Sequence, residues 1–281
     1  MTALALLRAA LRRPRPITLT PPPTTRLTTT RTPDPAHLAA YQRICGFEPE
    51  PHFLPPTYPH VLAFPLSMRL MTARDFPLPL LGLVHTRIEI EQHRPITPTE
   101  TLHLTVLTTA LTPHRRGTEA TLLTEASTAH GELLWQSRST YLARHKTAPP
   151  TTSASAPAPT PTPTPTPNGE TWELPADLGR RYASVSGDRN PIHLHALTAR
   201  PFGFPRAIAH GMWTAARCLA EQGTQRASAP THTRIDFKAP VPLPSTVTYS
   251  TPTPHTFELR GPQGRPHLTG TTGPAPSDGP P

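Results

Sequence analysis

The sequence predicts an α+β protein built from two tandem copies of one unit, a helix followed by antiparallel strands. Three observations predict it. Residues 84–89 read Val-His-Thr-Arg-Ile-Glu and residues 231–236 read Thr-His-Thr-Arg-Ile-Asp, so one short segment occurs twice. Ahead of each copy a histidine opens an apolar stretch: His60 opens the first, His210 the second, and the His-to-His intervals are 25 and 22 residues. After each copy, apolar and threonine residues alternate with the two-residue period of a strand.

The elements follow in chain order. The first 33 residues hold six arginines and no acid. Residues 1–35 are therefore expected to be a basic, proline-rich, disordered tail, the alternative being an organellar transit peptide. Residues 36–145 form the first unit. Leu62, Leu66, Leu70 and Met71 recur at helical spacing, with Pro65 inside the first turn or two. Strands are expected at 101–111, 118–128 and 132–143, with turns at Arg116-Gly117 and His130-Gly131. Residues 146–168 are a Pro/Thr-rich linker, since Thr-Pro repeats favour polyproline II and do not pair as a central strand. Residues 169–272 form the second unit. Met212, Ala215, Ala216 and Leu219 mark its helix, Gly223 ends it, and strands follow at 232–239, 245–251, 255–261 and 266–271. Residues 273–281 are a second disordered tail.

Composition bounds the function. The 42 prolines and an apolar content of 35% would suit a disordered chain, but the prolines concentrate in 14–35, 145–168, 239–254 and 262–281. Cys45 and Cys218 make no disulfide framework, and no Cys/His spacing matches a zinc site. No apolar run reaches the ~20 residues that span a bilayer, and a cytoplasmic location is expected. The net charge of +9 suits an anionic partner. The arginines are dispersed and aromatics are 6%, so the charge fits phosphates of a small carrier at least as well as a nucleic acid.

The most informative stretch is Gly187-Asp188-Arg189-Asn190-Pro191-Ile192-His193, followed 17 residues after His193 by His210-Gly211-Met212. Pro191 fixes its own φ and pushes Asn190 out of the helical region, so a tight turn can aim Asp188 and His193 into one cleft. Gly211 then offers a backbone N–H at a helix start, where donors are free and the dipole favours negative charge. An acid, a base and an oxyanion donor are what adding water to an activated carbonyl compound requires.

From Tyr182 to Thr214 the chain resembles the MaoC-like (R)-specific enoyl-CoA hydratases and the actinobacterial 3-hydroxyacyl-thioester dehydratases. Tyr182, Gly187, Asp188, Asn190, Pro191, His193, Gly203, Phe204, Ile208, His210, Gly211 and Met212 keep the family's order and spacing. One departure is His195, where relatives often carry Asp. Residues 58–66, Tyr-Pro-His-Val-Leu-Ala-Phe-Pro-Leu, resemble the N-terminal half of those dehydratases. The resemblance implies a double hot-dog fold, with a long helix wrapped by antiparallel sheet in each half. It further implies reversible hydration of trans-2-enoyl thioesters of coenzyme A or acyl carrier protein, without cofactor or metal. The implied catalytic residues are Asp188, His193 and Gly211. Asn190, His210, Met212, Phe64, Leu66 and Met68 are expected around the substrate.

The first half lacks the dyad, because its turn Leu54-Pro55-Pro56-Thr57-Tyr58-Pro59 contains neither acid nor base. It is expected to wall the acyl pocket, as in a pseudo-dimeric monomer or one protomer of a homodimer. Two other readings stand beside this one: a hot-dog thioesterase, and a non-catalytic subunit that only binds acyl thioesters. The intact Asp-x-Asn-Pro-x-His argues against both.

Overall fold

The computed structural model describes residues 22–49, 52–80, 82–146, 169–223 and 230–275. The first half runs β1 (Arg26–Arg31), α1 (Pro35–Cys45), α2 (Tyr58–Thr72), β2 (Leu83–Gln92), β3 (Leu102–His114), β4 (Gly117–Ser127) and β5 (Leu133–Arg144). The second runs β6 (Glu170–Leu174), α3 (Leu178–Ser186), the short helices α4 (Pro191–Leu194) and α5 (Ala196–Ala199), α6 (Gly211–Glu221), β7 (Thr231–Phe237), β8 (Ser245–Thr253), β9 (Thr256–Arg260) and β10 (Pro266–Pro274).

The strands form one antiparallel sheet in the order β1-β3-β4-β5-β2-β7-β10-β9-β8-β6. Read from either edge the order is the same, so the halves are related by a pseudo-two-fold axis between β2 and β7. The repeated segments are those two central strands. Ile88 sits opposite Ile235, Arg87 opposite Asp236 and Glu89 opposite Arg234. Arg87 Nε lies 2.8 Å from Asp236 Oδ1, and Arg234 Nη1 lies 3.1 Å from Glu89 Oε1. Each copy of the segment thus supplies the arginine for the other copy's carboxylate, while the two isoleucines are fully buried on the axis. This is the double hot-dog architecture, with α2 and α6 as the helices the sheet wraps.

The connection also crosses through the helices. Trp213 Nε1, on α6, donates to Ile44 O at the end of α1, 2.8 Å away. His37 of α1 bonds the Val185 carbonyl of α3 at 2.7 Å. Cys45 and Cys218 are both buried and free.

Three boundaries differ from the sequence expectation. Residues 1–35 are not all tail: β1 pairs with β3 over its whole length, with Arg26 opposite Leu107 and Arg31 opposite Leu102. Its pattern, Arg-Leu-Thr-Thr-Thr-Arg, carries one apolar residue because it is an edge strand with a single face against the core. Its counterpart β6, also absent from the expected strands, does alternate, with Trp172 and Leu174 buried, but over only five residues beside the proline-rich stretch. At the other end the sheet runs on to Pro274, whose partner is Thr231. Finally, α2 starts at Tyr58 with Pro59 at its second position, which puts Pro65 in the helix interior on an exposed side. The expected linker falls, apart from Lys146, outside the described residues, as do residues 1–21 and 276–281.

Burial should outweigh charge at the junction. Ile235→Ala, which leaves a hole on the axis, is expected to cost about 2–5 kcal/mol of unfolding free energy. Arg87→Ala, which removes a partly exposed pair, is expected to cost less than about 1 kcal/mol. Denaturant titration of the two variants checks the ranking.

Candidate active site

The loop between α3 and α6 is shaped by local chemistry. Gly187 ends α3 in the left-handed region (φ 74°), a conformation that favours glycine, and swings the chain into Asp188. Asp188 Oδ1 accepts from Asn190 N–H at 3.1 Å, and Asn190 Oδ1 accepts from Ile192 N–H at 3.4 Å. Pro191 takes the first position of α4, and α4 presents His193. Asn190 is therefore the cap of a helical turn, a shaping role the Asn-Pro pair specifies.

α3 and α4 are in contact because Gly179 has no side chain. A Cβ there would lie 1.9 Å from the His193 carbonyl oxygen. This glycine was not singled out from sequence, since nothing local demands it.

Asp188, His193 and His210 come together, each offering one polar atom within 4.8 Å of the others'. That spacing suits a cation as well as a proton-transfer group. His193 is 8% exposed, and its Nδ1 donates to the Ile208 carbonyl at 2.8 Å. The bond fixes the tautomer and leaves a lone pair on Nε2. His210 is 2% exposed and stacks on His193 with ring centroids 3.7 Å apart. Its Nε2 donates to the Asp188 carbonyl at 3.0 Å and lies 3.9 Å from Asp188 Oδ2. His210 thus clamps the loop that carries the acid. Asp188 remains the most open of the three, its side chain 28% exposed.

Burial lowers the pKa of His193 below its ordinary 6.5, against the opposing pull of the Asp188 charge and the Ile208 carbonyl. Burial, with His193 alongside, lowers His210 well below 6.5. Both rings are neutral near pH 7.

Gly211 is the first residue of α6, and among the described residues no side chain caps that helix start. The Trp213 and Thr214 N–H groups turn back to the His210 carbonyl at 3.1 and 3.2 Å, so the Gly211 N–H stands at the open end of the helix. A Cβ on Gly211 would meet Phe237 Cε1 at 3.2 Å, so only a glycine brings this backbone so close to the aromatic wall. Met212 is half-buried against the core.

From the first half, Phe64 reaches the loop: its Cδ1 lies 3.9 Å from where a Cβ on Gly187 would be. Met68 lies one turn further along α2 on the same side and is half-buried against the core. Leu66 does not join them. Two residues from Phe64, it projects from the opposite side of the helix and is buried in the core. The helical spacing of Leu66, Leu70 and Met71 matches the buried stripe of α2, with Leu62 half-buried at its edge, but periodicity does not tell a core-facing side from a cleft-facing one. His60, one turn before Phe64 on α2, and His85, packed on Phe237 at 4.9 Å, also come from the first half and carry no sequence signal beyond their place in the repeat.

Comparison with known proteins decides the family. The MaoC-like domain model matches residues 152–253. Over 219 residues the chain is 36% identical to 3-hydroxyacyl-thioester dehydratase X of Mycobacterium tuberculosis, covering 76% of this chain and 74% of the relative. The chain belongs to the MaoC-like dehydratase family. A crystal structure of HtdX from Mycobacterium tuberculosis superposes with a TM-score of 0.76 at 35% identity, covering 89% of this chain and 100% of that one. A MaoC-like dehydratase from Phytophthora capsici shares the fold, with a TM-score of 0.69 at 18% identity over 93% of this chain and 98% of that one. This MaoC-like protein is a hydro-lyase. Among its described residues no helix is long and apolar enough to cross a membrane.

Two outcomes follow from the packing of this site. Gly179→Ala must push α4 away from α3, and is expected to lower both melting temperature and activity; a variant with wild-type values would show that the close approach is dispensable. Second, His193, His210, His60 (about 4) and His85 (about 3) all have pKa values pushed below 6.5 by burial. The unfolded chain binds protons at pH 6.5 that the folded chain refuses, so their contribution is complete above 6.5 and is lost as pH falls below it. Melting temperature is expected to decline steadily from pH 7 to pH 4, and His60→Leu to shallow the slope.

Proposed function

We propose that the site catalyses the reversible hydration of trans-2-enoyl thioesters, with Asp188 and His193 as a coupled acid–base pair. The observation that carries this reading is the fixed tautomer of His193. Its Nδ1–H is held by the Ile208 carbonyl, which leaves the lone pair on Nε2 to take a proton, and the ring belongs to the cluster with Asp188.

In the hydration direction the pair holds a water. As its oxygen bonds to C3, a proton passes to the pair and the double-bond electrons move onto the thioester oxygen. The Gly211 N–H, at the positive end of α6, donates to that oxygen. The pair then delivers a proton to C2 as the electrons return, and regains its starting state. Dehydration reverses these steps. Which pair member moves which proton is a property of the pair as a unit. His210 positions Asp188 through its backbone, and Phe64 and Met68 supply an apolar wall from the half that lacks a dyad.

The carrier is coenzyme A or an acyl carrier protein; either brings phosphates that suit a chain of net charge +9. A thioesterase would need water directed at the carbonyl carbon, not at C3; the intact Asp-x-Asn-Pro-x-His and the similarity to a 3-hydroxyacyl-thioester dehydratase favour the hydratase reading.

Hydration of crotonyl-CoA, followed by loss of the conjugated enoyl absorbance, tests the reading. Asp188→Asn and His193→Ala are each expected to cut turnover by at least ~10²-fold. The double variant should lose little more than the worse single one. Near-normal hydration by either single variant would remove that residue from the chemistry. Release of free thiol from crotonyl-CoA in place of hydration would favour the thioesterase.

The wild-type rate is also expected to fall on the acid side. A His193 that must be neutral loses activity as pH drops through its lowered pKa, so the acid limb should have a midpoint below 6.5. A limb centred above 6.5 would mean that the His193 ring does not act as the base.

A further inference from the structure

Two histidines of the first half have no part in the reaction above. His60 is 4% exposed, and its Nδ1 has no hydrogen-bond partner among the described residues. His85 Nε2 is likewise shielded and unpartnered. The two rings are nearly parallel, at 11°, with centroids 6.4 Å apart. His85 packs on Tyr141 at 4.5 Å and on Phe237 at 4.9 Å, and Phe237 is the residue that abuts Gly211. His60 precedes Phe64 by one helical turn, and Phe64 abuts Gly187. The Asp188 charge reaches His60. The pair therefore stands in the wall facing the dyad, one aromatic layer from the start of α6.

Buried polar atoms without partners are rare in native proteins, and each marks a place where a water or a ligand group belongs. Burial keeps both imidazoles neutral near pH 7, so each ring has one donor and one acceptor nitrogen. His60 Nδ1 and His85 Nε2 are thus two shielded nitrogens that each call for a polar partner, and a hydroxyl group, which both donates and accepts, can serve either. A single oxygen within ~2.8–3.2 Å of a nitrogen on each ring would satisfy both. A plain alkyl chain would leave both nitrogens unsatisfied.

We propose that His60 and His85 form a specificity site for an acyl chain bearing a hydroxyl group beyond C3. The proposal rests on the acyl-thioester reading of the preceding subsection and adds the chemical class of the chain. In this arrangement Phe64 and Met68 hold the methylene segment, and the histidine pair holds the oxygen. A site built to bond a hydroxyl rejects the analogue that lacks one far more strongly than an apolar pocket distinguishes methylenes.

The test compares trans-2-hexenoyl-CoA with its 5-hydroxy and 6-hydroxy analogues, and uses crotonyl-CoA as the short control. The wild type is expected to show a kcat/KM at least about tenfold higher for one hydroxylated chain than for the plain chain. His60→Leu and His85→Phe should each erase that preference, chiefly through KM, with a smaller effect on crotonyl-CoA, which ends short of the pair. His60→Leu should also melt at a higher temperature than wild type, because it removes an unsatisfied buried group. His85→Phe keeps the test available if His60→Leu does not fold. Equal or lower kcat/KM for both hydroxylated chains in the wild type would overturn the proposal, leaving the pair to water alone. A ~10²-fold loss on crotonyl-CoA in these variants would overturn it as well, by moving the histidines into the proton chemistry. A wild type inert on crotonyl-CoA would instead refute the hydratase reading on which the proposal rests.

Discussion

The pairing of β2 with β7 is the constraint on which the rest depends. Ile88 against Ile235, flanked by the crossed pairs Arg87–Asp236 and Arg234–Glu89, joins the two halves into one sheet. The buried isoleucines supply most of the stability there, and the half-exposed ion pairs fix the register. Register matters because a slip by one residue would turn every inward side chain outward. With the register set, α2 and α6 lie under the same sheet, and Phe64 and His60 from one half face Asp188, His193 and Gly211 from the other.

The halves share a frame but not a task. α1 and α3 end in glycines of the same left-handed kind, Gly46 (φ 77°) and Gly187 (φ 74°). After Gly46 the chain turns through prolines directly into α2. After Gly187 it makes the longer excursion through Asp188, α4 and α5 that carries the acid and the base. One copy thus keeps a loop rich in chemistry, and the other donates walls. Burial keeps four histidines, His193, His210, His60 and His85, neutral near pH 7. The same burial makes the fold sensitive to acid, so the chemistry of the site and the stability of the protein share one cause.

The features legible in the sequence were those written locally. A turn such as Asn-Pro, a left-handed glycine after a helix and a repeated strand segment each impose their geometry on neighbours within a few residues. The tandem architecture and the gathering of Asp188, His193 and the start of α6 were readable for that reason. Features created by contact between distant segments were not. The edge strand β1 buries too little to show an apolar pattern, and β6 shows its alternation, Trp172 and Leu174, over only five residues. Gly179 matters only because the His193 backbone lies against it. The helical period puts Leu66 and Phe64 on opposite sides, but only the placement of α2 decides which side meets the site. His60 and His85 acquire meaning when the fold stacks them 25 positions apart in chain but beside one another in space.

We infer that each chain holds one working site built from both halves. Calorimetric titration of 3-hydroxybutyryl-CoA into the Asp188→Asn protein tests it most directly, because binding is read without turnover. The account predicts one ligand per chain, and loss of that binding when Phe64→Arg is added to a chain that still folds. Two ligands per chain, or one whose affinity ignores the change at Phe64, would contradict it.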